Sequence, residues 1–275
     1  MKKIIAIVLM LALTAALAAC GANGGKEKKL ADDKIVVGAS NVPHAEILEA
    51  AKPLMKKKGI DLEIKTFQDY VLPNKALANN EIDANYFQHV PYLKSQMKEN
   101  KNYKFENAGG IHLEPIGVYS KKYKSLKELP DGATIIMSNS VADHGRMLTL
   151  LEHEGLIKLK ASKGYNSKIK DIAKNPKHLK FKADIEAGLL PKAYQKGEGD
   201  AVLINTNYAI DAGLNPQKDS IAIESADSPF VNIIAVRKGD KNAKTVKTLV
   251  EVLHSKEIKD FINQKYKGAV VPVNK

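Results

Sequence analysis

The pattern that most limits the fold is an apolar strand, a small polar turn and a helix, which occurs twice. The first copy begins with Lys34 to Ser40, KIVVGAS, and continues into a helix over His44 to Lys58 with apolar residues at helical spacing. The second begins with Ala133 to Asn139, ATIIMSN, and continues into a helix from about Gly145 to Glu154. Alternating strands and helices predict an α/β fold with mixed, mostly parallel sheets, and the repeated opening predicts two similar lobes.

A weaker internal repeat also favours two lobes. When Asp83-Ala84 is aligned with Asp200-Ala201, three further positions match: Lys75 with Lys192, Ala76 with Ala193 and Glu81 with Glu198. We predict that residues 34–116 and 231–275 form one lobe and residues 117–230 the other. Ligands of open α/β sheets bind beyond the carboxyl ends of the strands. Facing lobes would therefore place Tyr86–His89 and Asn205–Asn207 on opposite walls of one cleft.

The first twenty residues have the layout of a secretory signal. A basic start, Met1-Lys2-Lys3, precedes an apolar run from Ile4 to Ala19 that is short for a membrane span of ~20 residues. Leu17-Ala18-Ala19-Cys20 resembles a bacterial lipobox, in which the cysteine thiol receives diacylglycerol. Cys20 is the only cysteine, so no intrachain disulfide can form. Residues 21–33 are rich in Gly and Lys and predict a flexible tether between membrane and domain.

The net charge of +12 raises the question of nucleic-acid binding. The lysines are spread along the chain, and only Arg146 and Arg237 are arginines, although nucleic-acid sites usually rely on arginine. We therefore expect no nucleic-acid partner and interpret the lysines as a solvated surface, favourable near anionic lipid.

The stretch from Asp69 to Leu93 combines aromatic rings with amide and imidazole groups. Six such residues fall within eight positions: Asn85, Tyr86, Phe87, Gln88, His89 and Tyr92. Such a mixture suits a pocket wall, because rings contact the body of a ligand while donors and acceptors hold its polar end. The alternative is a strand and helix start whose rings belong to the core.

Arg146 is the sharpest single candidate, since lysine is the usual cation of this chain. A guanidinium can hold a carboxylate through two parallel hydrogen bonds, and the N–H groups of a nearby helix start favour the same anion. The alternative is an exposed arginine at a frayed helix start.

Enzyme motifs are absent: the chain has no GxSxG elbow, no GxxxxGK[ST] phosphate loop and no GxGxxG dinucleotide turn. We expect a protein without enzymatic activity or cofactor. The histidines are scattered, with no His-x-His pair or HExxH helix. Three or four of them would have to converge in a metal-binding lipoprotein, which is the second hypothesis. They are His44, His89, His112, His144, His153, His178 and His254.

Several motifs together resemble the NlpA/MetQ family of methionine-binding lipoproteins, the substrate-binding components of methionine ABC importers. In chain order they are VPHAEIL at 42–48, DYVLPN at 69–74, EIDANYFQH at 81–89, GR at 145–146, INTNYA at 204–209, SPFVN at 228–232 and YKGAVVP at 266–272. They cover nearly all of the chain after the tether. Where the family commonly has NDPTNxGR, this chain has SNSVADHGR at 138–146, and Phe230 replaces the tyrosine of SPYVN.

The resemblance implies a two-lobed periplasmic-binding-protein-like fold that holds an amino acid in the cleft and closes by hinge motion. We place the crossings between lobes near Pro115–Tyr119 and Asp227–Val231. By resemblance, Arg146 binds the ligand carboxylate, and Asn205 and Asn232 hold its polar end. The residues that line the thioether pocket would be Tyr70, Phe87, His89 and Tyr92.

The resemblance implies a function as well: an extracytoplasmic lipoprotein, anchored to the cell membrane by lipid on Cys20, that delivers its ligand to ABC permease subunits. The ligand is L-methionine, a similar amino acid or a methionine-containing dipeptide. A third hypothesis is a peptide-binding or adhesion lipoprotein without an importer.

Overall fold

Two main sheets flanked by helices make up the computed structural model, which describes residues 30–160, 164–225 and 227–273. The strands, in chain order, are β1 (Lys34–Ser40), β2 (Asp61–Phe67), β3 (Ala84–His89), β4 (Phe105–Leu113), β5 (Gly117–Tyr119), β6 (Thr134–Ser138), β7 (Lys158–Leu159), β8 (Ile172–Lys174), β9 (Lys180–Ile185), β10 (Ala201–Ile204), β11 (Ala222–Ile223), β12 (Val231–Arg237) and β13 (Val271–Pro272).

The helices lie mostly between strands, as the alternating pattern predicts. They are α1 (Glu46–Lys57), α2 (Leu72–Ala78), α3 (Val90–Glu99), α4 (Val141–His153), α5 (Leu190–Gln195), α6 (Thr206–Asp211), α7 (Pro216–Asp219), α8 (Lys244–Leu253) and α9 (Lys256–Tyr266). Gly59 follows α1 with a φ of 75°, a left-handed conformation that glycine adopts without steric cost. Ser255 separates α8 from α9, and its side chain accepts a hydrogen bond from the backbone N–H of Ile258.

The first sheet has the strand order β13-β4-β12-β3-β1-β2, and the second has β11-β5-β10-β6-β9. The mixed α/β fold is confirmed, but parallel pairing does not predominate. In the first sheet β1 pairs in parallel with β2 and β3, whereas β12 and β4 join it antiparallel. The second sheet also has both kinds of pair. The reason is that the chain leaves one sheet and later returns, so the strands beside the crossings run against their neighbours.

The chain passes between the two sheets at residues 114–116 and again at residues 224–225 and 227–230, because β4 and β12 belong to the first sheet and β5 and β11 to the second. We call these the two crossing segments. The predicted lobe boundaries stay a prediction, and we propose that the crossing segments mark them.

Each sheet contributes to its own buried core. The first is centred on β1, α1, α8 and α9, with Val37, Leu48 and Leu249 fully buried. The second packs α4 on the second sheet, with Ile135, Leu148 and Leu203 fully buried. The carboxyl ends of strands from the two sheets face each other across a cavity.

One local difference from the sequence prediction affects the site. Helix α4 begins at Val141, four residues before the predicted start, because Ser140 is extended and Asp143 lies in the first helical turn, where a carboxylate is favoured. Arg146 therefore lies in the second turn rather than at the helix start.

The predicted signal segment, Cys20 and residues 21–29 of the predicted tether lie outside the described residues. The last four tether positions are described, and there the prediction is wrong: Leu30 is buried in the first core, and the Asp33 carbonyl accepts the Asp61 N–H at 2.7 Å. Within the described ranges, none of the helices combines the length and apolar content that crossing a membrane would need.

Candidate functional site

A cavity of about 390 Å³, its opening included, lies between the two sheets. It is positioned by the carboxyl ends of strands from both, since His89 ends β3 and Asn205 directly follows β10. Its lining residues are Tyr70, Phe87, Gln88, His89, Tyr92, Glu114, Asp143, Arg146, Asn205, Thr206, Asn207 and Asn232. All seven residues that the sequence analysis expected to bind ligand therefore lie around one cavity.

Aromatic rings form the wall on the first-sheet side. The ring centroids of Tyr70, Phe87 and Tyr92 lie 5.9 to 6.0 Å from one another, within the usual range for aromatic pairs. The Tyr92 hydroxyl donates to the Tyr70 carbonyl oxygen at 2.9 Å, which fixes the loop before α2 against α3. Phe87 and Tyr92 are almost fully buried. We call these three residues the aromatic wall.

Tyr86 differs from this arrangement. The sequence analysis placed it on the cleft wall, but its side chain is fully buried and does not line the cavity. It lies behind the wall, where its ring packs edge-on against the imidazoles of His44 and His112.

Arg146 lies on the second-sheet side and is 3% exposed, so the alternative of a frayed, exposed arginine is wrong. Its Nε lies 3.1 Å from Glu224 Oε2, its NH2 group also contacts that oxygen, and NH2 donates to the Glu114 carbonyl at 2.8 Å. The guanidinium carbon lies 4.7 Å from the centroid of the Phe230 ring. Among the described residues NH1 makes no hydrogen bond; it lies 3.9 Å from Asp143 Oδ1.

The sequence analysis missed Glu224 and its pairing with Arg146. The Ser228 hydroxyl donates to Glu224 Oε1 at 2.7 Å, and the Ile116 N–H donates to Oε2 at 3.1 Å. Burial would lower the pKa of Arg146, but the charge and hydrogen bonds of Glu224 outweigh this and raise it. One edge of the guanidinium is thus held by the protein, while the NH1 edge remains for another anion.

Gly145 explains why a glycine precedes this arginine. A Cβ atom on Gly145 would lie 1.8 Å from the Tyr165 carbonyl oxygen, so only glycine allows this backbone approach. Tyr165 in turn packs edge-on against Phe230 at 5.2 Å, which supports the ring beneath Arg146.

Asp143 and His89 link the two sides. His89 Nδ1 accepts the Tyr92 N–H at 3.2 Å, so Nε2 carries the proton that it donates to Asp143 Oδ1 at 2.9 Å. Burial alone would raise the pKa of Asp143, but the His89 contact and Arg146 lower it to about 2. The sequence analysis missed Asp143, although it flagged the altered segment 138–146 that contains it.

Two asparagines complete the polar side. Asn205 Nδ2 donates to Asp143 Oδ2 at 3.4 Å, whereas its Oδ1 is buried and makes no hydrogen bond to any described residue. Asn232 Oδ1 lies 3.1 Å from His44 Nε2. A buried, unpaired acceptor on a cavity wall is costly unless a ligand supplies a donor.

Glu114 is the third missed residue, and it lies on the first crossing segment. Its Oε2 accepts the Asn207 N–H at 3.1 Å, and its Oε1 lies close to the imidazoles of His44 and His112. Burial raises its pKa. A signal did exist in the sequence: it is the single charged residue in the apolar stretch IHLEPIGVY at 111–119.

The metal hypothesis required histidines to converge. Among the described residues, the group with three possible ligand atoms within 4.8 Å of one another is His44, His112 and Glu114. Their placement is already accounted for without an ion: His112 is hydrogen-bonded to Glu114 at 2.7 Å, and His44 to Asn232 at 3.1 Å.

Known proteins that resemble this chain in sequence are binding proteins, in agreement with the geometry of the cavity. The family model described as NlpA lipoprotein matches residues 35–274. A relative named methionine-binding lipoprotein MetQ, from Bacillus subtilis (strain 168), is 55% identical over 276 residues, which is 100% of both chains.

Solved structures agree. A nutrient binding protein from Burkholderia cenocepacia bound to methionine has a TM-score of 0.82 and 45% identity, covering 87% of this chain and 100% of its own. An ABC transporter periplasmic substrate-binding protein from Coxiella burnetii has a TM-score of 0.82 and 39% identity, covering 87% of this chain and 100% of its own. The fold is therefore that of a two-lobed substrate-binding protein.

Proposed function

Because this chain belongs to the NlpA lipoprotein family, we propose that it captures L-methionine and delivers it to an ABC importer. It does so as a binding protein without enzymatic activity, anchored to the outer face of the cell membrane through lipid on Cys20. A methionine-like amino acid or a methionine-containing dipeptide is the alternative ligand.

The observation that carries the proposal is that one cavity offers a partner for each part of such a ligand. A zwitterionic amino acid needs a cation for its carboxylate, acceptors for its ammonium group and an apolar slot for its side chain. The NH1 edge of Arg146, the oxygens of Asn205 and Glu114, and the aromatic wall supply these in turn. A thioether against ring edges adds roughly 0.3–1.5 kcal/mol.

The roles follow from which atoms are already occupied. Glu224 holds one edge of the guanidinium, so a ligand carboxylate approaches NH1. Asn205 Oδ1 has no donor among the described residues, so it accepts from the ammonium group, with Glu114 supplying the negative charge. His89 and Asn232 also line the cavity, and we propose that they fix the ligand's orientation.

A ligand screen tests the proposal directly. In a thermal-shift assay with the twenty L-amino acids, D-methionine and several methionine-containing dipeptides, L-methionine should raise the melting temperature most. At 100 times its dissociation constant, a ligand adds ~2.7 kcal/mol of stability. Calorimetry on the best compound then gives the affinity. Equal shifts for methionine, leucine and lysine would contradict the proposal, because the aromatic wall would then not select.

Delivery and anchoring need separate tests. A Cys20→Ala variant expressed with its own leader should lose incorporation of labelled fatty acid and appear in the soluble extracytoplasmic fraction. Cells lacking the protein should lose uptake of labelled methionine at low concentration, and restoring the wild-type chain should return it. Normal uptake without the protein would contradict a role in import.

A further inference from the structure

A line of buried side chains runs behind the cavity, and we call it the imidazole–carboxylate chain: Tyr86, His112, Glu114, His44 and Asn232. His112 Nε2 lies 2.7 Å from Glu114 Oε1, and His44 Nε2 lies 3.1 Å from the same oxygen and from Asn232 Oδ1. The Tyr86 hydroxyl contacts His112 Nδ1. Only Glu114 and Asn232 line the cavity, so the other three act on a ligand through these two.

The contacts define which atoms carry protons. If the Tyr86 hydroxyl donates to His112 Nδ1, then Nε2 bears the proton of the neutral ring and donates it to Glu114. His44 likewise donates from Nε2, since its Nδ1 has no partner among the described residues. Glu114 therefore accepts the N–H groups of His112 and Asn207, and His44 Nε2 lies 3.1 Å from its Oε1. With both imidazoles neutral, none of these three groups is a cation.

The charged groups around the imidazole–carboxylate chain already form ion pairs or hydrogen bonds with one another. Arg146 is paired with Glu224, and Asp143 accepts from His89. On the side away from the cavity, the Tyr266 hydroxyl contacts Glu46 Oε2 and the Pro43 carbonyl rather than a member of the imidazole–carboxylate chain. Burial of the Glu114 carboxylate favours taking up a proton and outweighs the opposing charge of Arg146, so the pKa of Glu114 is raised.

We propose that His44 and His112 position the Glu114 carboxylate and share its proton, so that the empty cavity holds one proton in mild acid and the ammonium group of the ligand expels it. The three groups act as one site of charge −1 that becomes neutral on protonation. This inference rests on the proposed function, because the ammonium group belongs to an amino-acid ligand. The released proton passes to the buffer.

The directions of the pKa shifts agree with a shared site. Burial raises the pKa of Glu114, and burial lowers the pKa of His44 to about 4 and that of His112 to about 3. The pKa values of the carboxyl and imidazole groups are thus closer together than usual, so the three groups titrate as one coupled site. A bound ammonium group stabilises the ionised site and so lowers its pKa. Affinity is then full above the pKa of the empty protein and falls about tenfold per pH unit below it.

Titration calorimetry with L-methionine tests this inference on the whole chain. Measurements at pH 5 and pH 8, each in two buffers of different ionisation enthalpy and with EDTA present, give the number of protons exchanged. We expect release approaching one proton at pH 5 and none at pH 8, with weaker affinity at pH 5. Burial of Glu114 places the change above the ordinary carboxyl value of 4.5.

Two variants separate positioning from a merely structural role. In His112→Gln and His44→Gln the amide N–H still donates to Glu114 but cannot take up a proton. Proton release at pH 5 should fall by half or more, while affinity at pH 8 stays within about threefold. His153→Gln, whose ring is 82% exposed, is the matched control and should behave as wild type. If a variant does not fold, the number of protons that the wild-type protein releases on binding at pH 5 still decides whether the inference holds.

Each other outcome has a clear meaning. Methionine binding without proton release at pH 5 overturns this inference and leaves the proposed function intact. No methionine binding at pH 8 overturns both. Equal loss of affinity at the two pH values in both glutamine variants assigns the histidines a structural role only. Binding that changes when EDTA is omitted assigns the group to a metal ion and overturns the shared-proton site.

Discussion

The two sides of the cavity differ in what they present to a ligand. The first-sheet side carries the aromatic wall of Tyr70, Phe87 and Tyr92, whose rings form a mutually packed group. The second-sheet side carries Arg146 and Asp143, which are charged, fully buried and already partly paired. We propose a division of labour, in which the second side recognises what all amino acids share and the first side selects the side chain.

The two sides also differ in how they are supported. The rings are fixed by packing and by one hydroxyl, whereas the guanidinium is fixed by Glu224 and by the Glu114 carbonyl. Removing a ring leaves a cavity in an apolar region, while removing the arginine leaves Glu224 buried without a cation. We therefore expect the largest effects on the charged side.

Arg146→Ala should have the largest effect. It should cost ~2–5 kcal/mol of methionine affinity, since it removes one partner of a buried charged pair. The loss should be similar for every amino acid that binds, because the carboxylate is common to all. Calorimetry with methionine and a second ligand from the screen measures this.

The fold must be checked in the same variant, because unpaired Glu224 also destabilises the protein. Arg146→Ala combined with Glu224→Gln removes that buried charge and should recover most of the melting temperature but not the affinity. Unchanged affinity in either protein would contradict a carboxylate contact at Arg146.

Phe87→Ala should have an intermediate effect that depends on the ligand. We expect a loss of ~1–3 kcal/mol for methionine, the value of a lost apolar contact in a pocket, and a smaller loss for alanine. Phe181→Ala, on β9 and outside the cavity lining, is the control: it should lower the melting temperature without changing affinity. Equal losses for methionine and alanine would contradict the division of labour.

Tyr70→Phe should have the smallest effect, because it keeps the ring and removes only the hydroxyl. That hydroxyl donates to Asn207 Oδ1 at 2.6 Å and so joins the two sides. Loss of one hydrogen bond costs ~0.5–1.5 kcal/mol, and we expect it mainly as faster dissociation in stopped-flow measurements. Tyr194→Phe, outside the cavity, should dissociate at the wild-type rate. An unchanged or slower dissociation in Tyr70→Phe would contradict a role for this bond in retaining the ligand.

Local patterns were sufficient to predict much of the molecule from sequence. The repeated strand–turn–helix openings gave the α/β fold, and the dense aromatic stretch gave the aromatic wall. Arg146 was recognisable because arginine is rare in this chain. Each of these signals lies within a short segment, where side-chain periodicity or composition is visible directly.

Long-range pairings were not predictable in the same way. Glu224 lies 78 residues from Arg146 in sequence, and no local pattern marks it as the partner. The start of α4 was also misjudged, because Val141 and Ala142 show no apolar period of their own. Antiparallel strands beside the crossing segments depend on the path of the whole chain, which propensity does not encode.

The contacts of Arg146 with both crossing segments have a mechanical consequence. Its guanidinium contacts Glu114 on one crossing segment and Glu224 on the other. One side chain therefore links both connections between the two sheets. A movement of that side chain would affect both crossing segments together. We therefore propose that the two crossing segments move together when the lobes move, and that a bound ligand acts on both through Arg146.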